Sequence, residues 1–408
     1  MFFSTQWTRA FHFKWHTHGT LSAHVETWHT SGWKRWYHLL KEEFESPLGR
    51  HLKKMLRILK NIILVTLPTL VALAILLEIF FRIGIPASNP PRGYFDKEAL
   101  IYRFLIGQDE GLFTIGPLAQ QRGRWHINNV GWNSPVDYEL AGNKPKVAVI
   151  GDSYIAALQV DSDKSYPALV NAALDDVDVY SFGVSGAPLS HYLHMSRYVG
   201  RTFDPDTLVI NLILNDFAES MYDGTRPHWL TIEVTDDGVE EVQPRRNPSF
   251  IQYSRSKQLL RHSALVRYTI FNLKLPGLMQ RLTARSEDFE DNTDRGRIQR
   301  RRDEVEVATS YVMNQIRLEN PDRRIIYVID GPKQSIYAGS EPSDVIQFIY
   351  RIVTAGASES GSELLNLWPA MQEQFRRDGV KFNSEHDGHW DEYGHAFVAM
   401  QFLNLFRD

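Results

Sequence analysis

The pattern of hydrophobic positions begins with an apolar run from Asn61 to Phe81, whose only charged residue is Glu78. About 20 residues of α-helix cross the ~30 Å hydrocarbon layer of a bilayer. A buried core helix carries a polar stripe, which this run lacks, and the roughly 60 residues before it exceed the n-region of a signal peptide. The run therefore predicts one membrane-spanning helix, in which Pro68 introduces a kink.

From about residue 144 onward, short apolar runs alternate with stretches long enough for helices. Continuous apolar strands separated in this way are typical of a parallel sheet covered on both faces. The predicted fold class is α/β, a three-layer α/β/α sandwich with a mainly parallel sheet. The predicted strands are Val147–Ile150, Val177–Phe182, Thr207–Leu214 and Arg324–Ile329, and the predicted helices between them include Ser190–Val199 and Glu304–Leu318.

About 100 residues separate the third predicted strand from the fourth, far more than a strand-to-helix connection needs. Within them, Leu230–Val234 and Val239–Gln243 flank an Asp-Gly pair, which predicts a hairpin. Lys257–Asn272 is interpreted as a helix. Ser286–Arg302 is interpreted as a solvated loop or helix end, because its arginines alternate with acidic residues.

The pattern divides the chain into four predicted parts. A basic, aromatic-rich tail without assigned chemistry precedes the membrane helix, and a linker with a turn-rich, aromatic Asn129–Asn133 loop follows it; we expect this loop beside the active face. The predicted parts are residues 1–60, the membrane helix 61–83, the linker and pre-domain segment 84–143, and the α/β domain 144–408 with an insertion at about 218–303.

Composition and charge narrow the class of protein. A hydrophobic fraction of 43% and a charged fraction of 23% are globular values, and the absence of cysteine excludes disulfides and thiolate metal sites. Residues 1–60 hold ten Lys/Arg and four Glu, a charge of +6. Because the whole chain has a net charge of −4, the remaining residues carry −10. A domain of that charge is not expected to bind nucleic acid.

Basic residues also predict the orientation of the membrane helix. Five of them precede it closely, whereas only Arg82 follows it directly. The excess of Lys and Arg on the N-terminal side predicts a cytoplasmic N-terminus and an extracytoplasmic, periplasmic domain. The five preceding residues are Arg50, Lys53, Lys54, Arg57 and Lys60.

Polar residues follow the predicted strands where ligands of an open parallel sheet bind, outside the carboxyl ends. Ser153 comes two residues after the first strand ends at Gly151, Gly186 lies in the glycine turn after the second, and Asn215 follows the third. Near the C-terminus, Asp387 and His389 flank Gly388. A hydroxyl, an amide, flexible glycines and an Asp/His pair are the parts that nucleophilic acyl transfer requires.

These parts suggest definite roles. We expect Ser153 to be the nucleophile, His389 its general base, and Asp387 the group that orients and stabilises the imidazolium. The backbone N–H groups of Ser153 and Gly186 and the side-chain amide of Asn215 are the predicted oxyanion hole. No cofactor is expected, and no grouping of His, Asp and Glu has metal-ligand spacing.

At these residues the chain resembles the SGNH (GDSL-type) hydrolases, in the family's membrane-anchored bacterial form. Four blocks match in order: Gly151–Tyr154, Gly183–Gly186, Asn215-Asp216 and Asp387–His389. The resemblance covers roughly residues 125–405 and implies a flavodoxin-like SGNH fold. It also implies an acyl ester on a carbohydrate, with acetyl as the expected acyl group, cleaved or transferred through an acyl-serine.

The last block departs from the family's usual spacing, because one residue rather than two separates its Asp from its His. The spacing resembles that of members acting on envelope polysaccharides, and Glu385 remains an alternative to Asp387. Tyr154 stands where the family name implies Leu and is expected to matter little to the chemistry. Other residues near these blocks are expected to have structural roles. Asp152 is expected to stabilise the turn and Asp216 to cap a helix. His386, His395 and Trp390 are expected to pack beside or below the site.

The sequence thus predicts a membrane-anchored esterase or O-acyltransferase that acts on an acylated carbohydrate or other small ester. Such a protein is a candidate partner of envelope polysaccharide machinery. The alternative is a non-catalytic protein of the same fold that binds or helps to assemble envelope polysaccharide. The two hypotheses differ in whether Ser153 is required for turnover of an activated ester.

Overall fold

A computed structural model describes residues 35, 37–38, 41–42, 47–108, 110–245, 260–273, 275 and 289–406. The predicted tail, residues 1–60, lies largely outside these ranges. The chain divides into two compact units, Met1–Ile75 and Leu76–Asp408. The sheet and every candidate site residue belong to the second unit.

The helices and strands are numbered here in chain order. The strands are β1 (Gly93–Asp96), β2 (Ile101–Phe104), β3 (Gly111–Ile115), β4 (Gln121–Trp125), β5 (Lys146–Gly151), β6 (Asp178–Gly183), β7 (Thr207–Leu212), β8 (Thr231–Thr235), β9 (Gly238–Val242), β10 (Phe289–Glu290), β11 (Thr293–Asp294), β12 (Arg324–Ile329) and β13 (Glu363–Asn366). The α-helices are α1 (Pro47–Asn61), α2 (Leu67–Ile83), α3 (Ser153–Ala156), α4 (Tyr166–Ala173), α5 (Leu189–Phe203), α6 (Asp216–Glu219), α7 (Ala264–Arg267), α8 (Arg295–Arg300), α9 (Arg302–Glu319), α10 (Lys333–Ala338), α11 (Asp344–Glu359), α12 (Leu367–Asp378) and α13 (Glu392–Asn404).

The apolar run forms a helix whose stretch Arg50–Ile83 has the length and composition needed to cross a membrane. Between α1 and α2, the five residues Ile62–Thr66 form a π-helical segment. Pro68 is the second residue of α2. Because proline has no N–H and clashes with the carbonyl four residues earlier, the α-helical ladder is interrupted at this point.

A five-stranded parallel sheet in the order β13-β12-β7-β5-β6 forms the centre of the second unit. The four predicted strands correspond to β5, β6, β7 and β12, and the predicted mainly parallel α/β fold is confirmed. The fifth strand, β13, was not predicted. It is a short edge strand whose residues are only partly buried, so its sequence lacks the continuous apolar run of the others.

Alternate side chains of the strands face two separate cores. Ile150, Phe182 and Ile210 face the core formed with α5, α9 and α11. Val149 and Val209 face the core formed with α4, α12 and α13. Helices therefore cover both faces, as the continuous apolar strands predicted, and the three layers hold the carboxyl ends of β5, β6 and β7 side by side.

The segment before the sheet is more regular than predicted. It forms two antiparallel hairpins, β1-β2 and β3-β4. The predicted Asn129–Asn133 loop then packs against the active face, as expected, since Asn133 Nδ2 donates to the carbonyl oxygen of Ala156 at 2.8 Å. Trp132 is buried in the loop and lies edge-on to Phe182 of β6.

The insertion contains the predicted hairpin as β8-β9. The helix predicted at Lys257–Asn272 is interrupted at Ser263, which caps α7, and its first residues lie outside the described part. The prediction that Ser286–Arg302 is a solvated loop or helix end holds only in part over its described residues, where Gln299 and Arg300 are exposed. Glu290, Thr293 and Ile298 are buried there, because the two-residue strands β10 and β11 and the helix α8 pack against the domain.

Candidate active site

The turn between β5 and α3 positions Ser153. Asp152 occupies the N-cap of α3, and its Oδ1 accepts from the backbone N–H of Tyr154 at 2.9 Å. The expected turn-stabilising role of Asp152 is thus confirmed. On the neighbouring strand, a Cβ at Gly183 would lie 2.0 Å from the nitrogen of Ala156, so only glycine lets α3 pack this closely on β6.

The structure brings Ser153, His389 and Asp387 together in a chain of hydrogen bonds. Ser153 Oγ lies 2.7 Å from His389 Nε2. On the other side of the ring, His389 Nδ1 lies 2.8 Å and 2.9 Å from the carboxylate oxygens of Asp387. Because Asp387 accepts from Nδ1, Nε2 is left to accept the proton of the serine hydroxyl.

With only Gly388 between them, the carboxylate of Asp387 thus reaches the ring of His389. Glu385, the alternative acid, is exposed and lines a different cavity together with Lys333 and Asn383. The structure thus places Asp387, and not Glu385, beside the His389 ring.

The two other histidines near the C-terminus lie away from the Ser153 hydroxyl. His395 is fully buried, and its Nδ1 accepts from the backbone N–H of Tyr166 at 3.2 Å. Burial lowers the pKa of His395 to about 3. His386 is exposed. The packing role expected for His395 is confirmed, and Trp390 is buried beneath Tyr154 as predicted.

Two buried carboxylates lie behind the site. Burial raises the pKa of Asp152. Burial, with the nearby Asp152, also raises the pKa of Asp216 well above its ordinary value. Asp216 Oδ2 accepts from the backbone N–H of Ile213 at 2.8 Å and from Tyr192 Oη at 3.0 Å. Asp216 therefore closes the turn after β7; the N-cap of α6 is Asn215, so the expected capping role of Asp216 is wrong.

Gly186 and Asn215, the other predicted oxyanion-hole residues, follow the strands on either side of β5. The turn after β6 is joined to β5 by a 3.0 Å hydrogen bond from Val184 N–H to the carbonyl oxygen of Gly151. Gly186 in this turn has a φ of +80°, a conformation that favours glycine, and it is exposed. Asn215, after β7, is half-buried. The sheet order thus places these two residues on opposite sides of Ser153.

Tyr154 has a larger role than expected from its place in the first block. Its hydroxyl donates to the carbonyl oxygen of Gly388 at 2.7 Å and accepts from Lys333 Nζ at 3.1 Å. Lys333 is buried and forms an ion pair with the buried Asp330. Although burial lowers the pKa of Lys333, the Asp330 carboxylate raises it overall, so the lysine stays protonated. Tyr154 therefore ties the backbone between Asp387 and His389 to a buried ion pair.

A cleft of about 210 Å³ opens beside the Ser153 hydroxyl. Three of its lining residues, Ser153, Asp387 and His389, form the hydrogen-bonded chain, and we call them the polar wall. Four hydrophobic residues also line the cleft, and we call them the apolar wall. The apolar wall consists of Phe113, Ile115, Ile270 and Phe271, and the remaining lining residues are Leu158, Gln159 and Ser185.

Sequence reasoning missed the apolar wall as well as Lys333 and Asp330. The alternating apolar residues of β3 could have indicated a strand, but no sequence pattern showed which cavity that strand would face. Lys333 follows a strand-end Asp-Gly pair, a position that could have drawn attention to it. Among the residues that the structure describes, no group of His, Asp and Glu is placed to hold a metal ion.

Comparison with known proteins gives the following similarities. No family model matches the chain, and no curated protein matches it. It is similar to a solved member of the lipolytic G-D-S-L family from Veillonella parvula, at 12% identity and a TM-score of 0.36 over 65% of this chain and 99% of that one. It is also similar to a lipase/acylhydrolase from Enterococcus faecalis, at 12% identity and a TM-score of 0.34 over 64% and 95% of the two chains. A third similar structure is an acetyl-xylooligosaccharide esterase from Geobacillus, at 16% identity and a TM-score of 0.33 over 65% and 95%.

Proposed function

We propose that the protein is a membrane-anchored serine esterase or O-acyltransferase of the SGNH type. The observation that carries this proposal is the chain of short hydrogen bonds from Ser153 Oγ through His389 to the Asp387 carboxylate. A serine hydroxyl becomes a useful nucleophile only when a base takes its proton, and a carboxylate on the far nitrogen keeps that base in the required tautomer. The four sequence blocks that resemble the SGNH hydrolases support the same reading.

The first half of the proposed reaction forms an acyl-serine. Ser153 Oγ attacks the ester carbonyl carbon while its proton passes to His389 Nε2, and the imidazolium is stabilised by Asp387. The tetrahedral oxyanion would be bound by the N–H groups of Ser153 and Gly186 and by the Asn215 amide. When the intermediate collapses, the bond to the leaving alcohol breaks and that alcohol takes the proton from His389.

The second half returns the enzyme to its starting state. Water, or the hydroxyl of a second sugar, gives its proton to His389 and attacks the acyl carbon, and the bond to Ser153 Oγ breaks as the serine regains its proton. Hydrolysis and transfer use the same residues and differ in the acceptor. Hydrolysis is the default because water needs no dedicated site.

The proposed substrate is an acyl ester of a carbohydrate, and the acetyl esters of envelope polysaccharide are the first to test. The Lys and Arg bias around the apolar helix supports an N-terminus in the cytoplasm and the α/β domain in the periplasm. A reporter enzyme fused after Asp408 tests this orientation. Reporter activity restricted to the cytoplasm would overturn it.

Turnover of 4-nitrophenyl acetate by the purified full chain tests the proposed function. Wild type should release 4-nitrophenol, and Ser153→Ala should lose this turnover by on the order of 10⁴-fold or more. Ser358→Ala is a matched control, since Ser358 is an exposed serine of α11 outside the cleft. The alternative, a non-catalytic protein that binds polysaccharide, predicts that wild type and Ser153→Ala are equally inert and bind polysaccharide equally.

A further inference from the structure

The apolar wall is attached to the end of the apolar helix that carries Glu78. Within the second unit, the Glu78 carboxylate accepts from the backbone N–H groups of Ala264 at 2.9 Å and Leu265 at 3.0 Å, and from Ser263 Oγ at 2.8 Å. Arg82 binds the same carboxylate at 2.8 Å through Nε. A single charged side chain of the helix therefore holds the start of α7.

Aromatic stacking makes a second attachment one turn later. Phe81 stacks on Tyr268 with a ring separation of 3.7 Å and an interplanar angle of 17°. The hydroxyl of Tyr268 donates to the carbonyl oxygen of Pro117 at 2.8 Å, in the turn between β3 and β4. The two rings thus connect the end of the apolar helix to the hairpin that supplies Phe113 and Ile115.

The π-helical turn Tyr268–Asn272 then delivers Ile270 and Phe271 into the cleft. Its last residue, Asn272, donates through Nδ2 to Thr114 Oγ1 at 2.9 Å and accepts from Ser88 N–H at 3.0 Å. Leu265 and Ile270 are five positions apart, roughly 8 Å at the helical rise per residue. Glu78 and the Ser153 cleft are therefore coupled through one short, hydrogen-bonded segment.

The chemistry of the cleft indicates which part of a substrate the apolar wall meets. Four hydrophobic side chains face the cavity where an acyl group attached to Ser153 would lie. A water molecule occupies about 30 Å³ in the liquid. A cleft of about 210 Å³ thus has room for considerably more than the two carbons of an acetyl group. Apolar surface gains free energy by burying methylene groups and offers no hydrogen bonds to a sugar.

We propose that the apolar wall binds the hydrocarbon part of an acyl group longer than acetyl, and that Glu78 and Phe81 of the anchor helix are positioning residues for this wall. The proposal rests on the proposed serine chemistry and replaces acetyl, the acyl group expected from the sequence, by a longer one. The end of the anchor helix is then part of the specificity apparatus of the enzyme. A soluble fragment that begins after this helix should retain the polar wall but lose selectivity for chain length.

The ratio of kcat/KM for 4-nitrophenyl hexanoate to that for 4-nitrophenyl acetate, measured on the full chain in nanodiscs, tests this proposal. Wild type should prefer the hexanoate. Phe271→Ala should lower the ratio about tenfold through KM for the hexanoate. Glu78→Gln should lower it by a similar factor, because the amide nitrogen presents a donor to backbone N–H groups that need an acceptor. Glu306→Gln, at an exposed carboxylate of α9, is the matched control and should leave the ratio unchanged.

Binding measured without turnover separates this proposal from the serine chemistry. In Ser153→Ala, the uncleaved amide N-hexanoyl-4-nitroaniline should bind more tightly than its acetyl analogue, and adding Glu78→Gln should remove the difference. Hydrogen exchange at Ala264 and Leu265 should also quicken in Glu78→Gln. Equal binding of the two amides, or a chain-length ratio unaffected by both Phe271→Ala and Glu78→Gln, would overturn the inference. Selective binding without Ser153-dependent turnover would instead overturn the proposed function alone.

Discussion

The polar wall and the apolar wall of the cleft face the same cavity but are held in place in different ways. Ser153 is fixed by the end of a central strand and by glycine contacts within the parallel sheet, and His389 lies on a loop tied to a buried ion pair through Tyr154. The apolar wall comes from the hairpin before the sheet and from the insertion after β7, and the end of the apolar helix holds it.

This difference suggests that the polar wall carries out the proton transfer and that the apolar wall selects the acyl chain. Proton transfer requires side chains that are held to within about half an ångström. The carboxyl ends of packed central strands provide such rigid positions. Segments outside the sheet can vary in length and attachment without disturbing that geometry. We therefore expect changes in the polar wall to affect all esters equally, whereas changes in the apolar wall should discriminate among acyl chains.

The largest expected effect comes from breaking the polar wall at Asp387. Asp387→Asn replaces the acceptor of His389 Nδ1–H by a group that favours the wrong tautomer, and kcat should fall by on the order of 10⁴-fold for acetate and hexanoate alike. Steady-state kinetics on both 4-nitrophenyl esters measures this. Glu385→Gln, two residues earlier, should behave as wild type. The reverse pattern would make Glu385 the orienting acid.

The support beneath the polar wall is tested at Lys333. Lys333→Met leaves the Asp330 carboxylate buried without its cation, which should lower the free energy of unfolding by about 3–5 kcal/mol. Chemical denaturation measures this loss. Lys381→Met, at an exposed lysine that lines the same neighbouring cavity, should cost far less. Adding Asp330→Asn to Lys333→Met should restore part of the stability, and a failure to restore any would argue against the ion pair as the cause.

The apolar wall is also tested at the part that comes from the β3-β4 hairpin. Phe113→Ala removes a half-buried ring from the cleft and should raise KM for 4-nitrophenyl hexanoate about tenfold while leaving acetate turnover within a factor of about two. Phe289→Ala, at an exposed phenylalanine outside the cleft, is the matched control. If acetate and hexanoate lost activity equally, the two walls would not be separable.

The last prediction concerns pH and the buried His395, which belongs to neither wall. Its pKa is lowered to about 3 by burial and by His389, against an ordinary value of 6.5, so the unfolded state binds the extra proton. Stability should therefore fall as the pH drops from about 6.5 towards 3, by at most about 1.4 kcal/mol per pH unit from this group.

Thermal unfolding of wild type and His395→Gln between pH 7 and pH 5 tests this linkage. The Gln oxygen can replace Nδ1 as the acceptor for Tyr166 N–H, and it does not titrate. The variant should lose less stability on acidification than wild type, whereas His386→Gln, at an exposed histidine, should follow wild type. Parallel curves for wild type and His395→Gln would exclude His395 as a source of acid sensitivity.

Several features of the fold and site were predictable because their signals are local. The apolar strands β5, β6, β7 and β12 are recognised by continuous hydrophobic runs. Ser153, Gly186 and Asn215 follow three of these runs directly, and their proximity follows from the geometry of parallel strands. In contrast, β13 and the short strands β10 and β11 have mixed composition, and only packing against the domain makes them strands.

The spacing of Asp387 and His389 shows where sequence reasoning ends. A single intervening residue leaves open whether the carboxylate can reach the ring, since both side chains must turn to the same side of the backbone. The structure decides this through Gly388, whose carbonyl oxygen accepts from Tyr154 Oη. The role of Tyr154 itself could not be predicted, because its partners are 179 and 234 residues distant in the chain.

The sequence by itself determined the parallel sheet, the apolar helix of a length to cross a membrane, and the nucleophile, base and acid as candidates, because periodicity and strand-end position are properties of short segments. Only the tertiary structure decided which acid lies beside His389, and that the cleft has an apolar wall held by Glu78. The contacts of Glu78 join residues nearly 190 positions apart, and no local pattern encodes which distant segment a carboxylate at the end of a helix will cap.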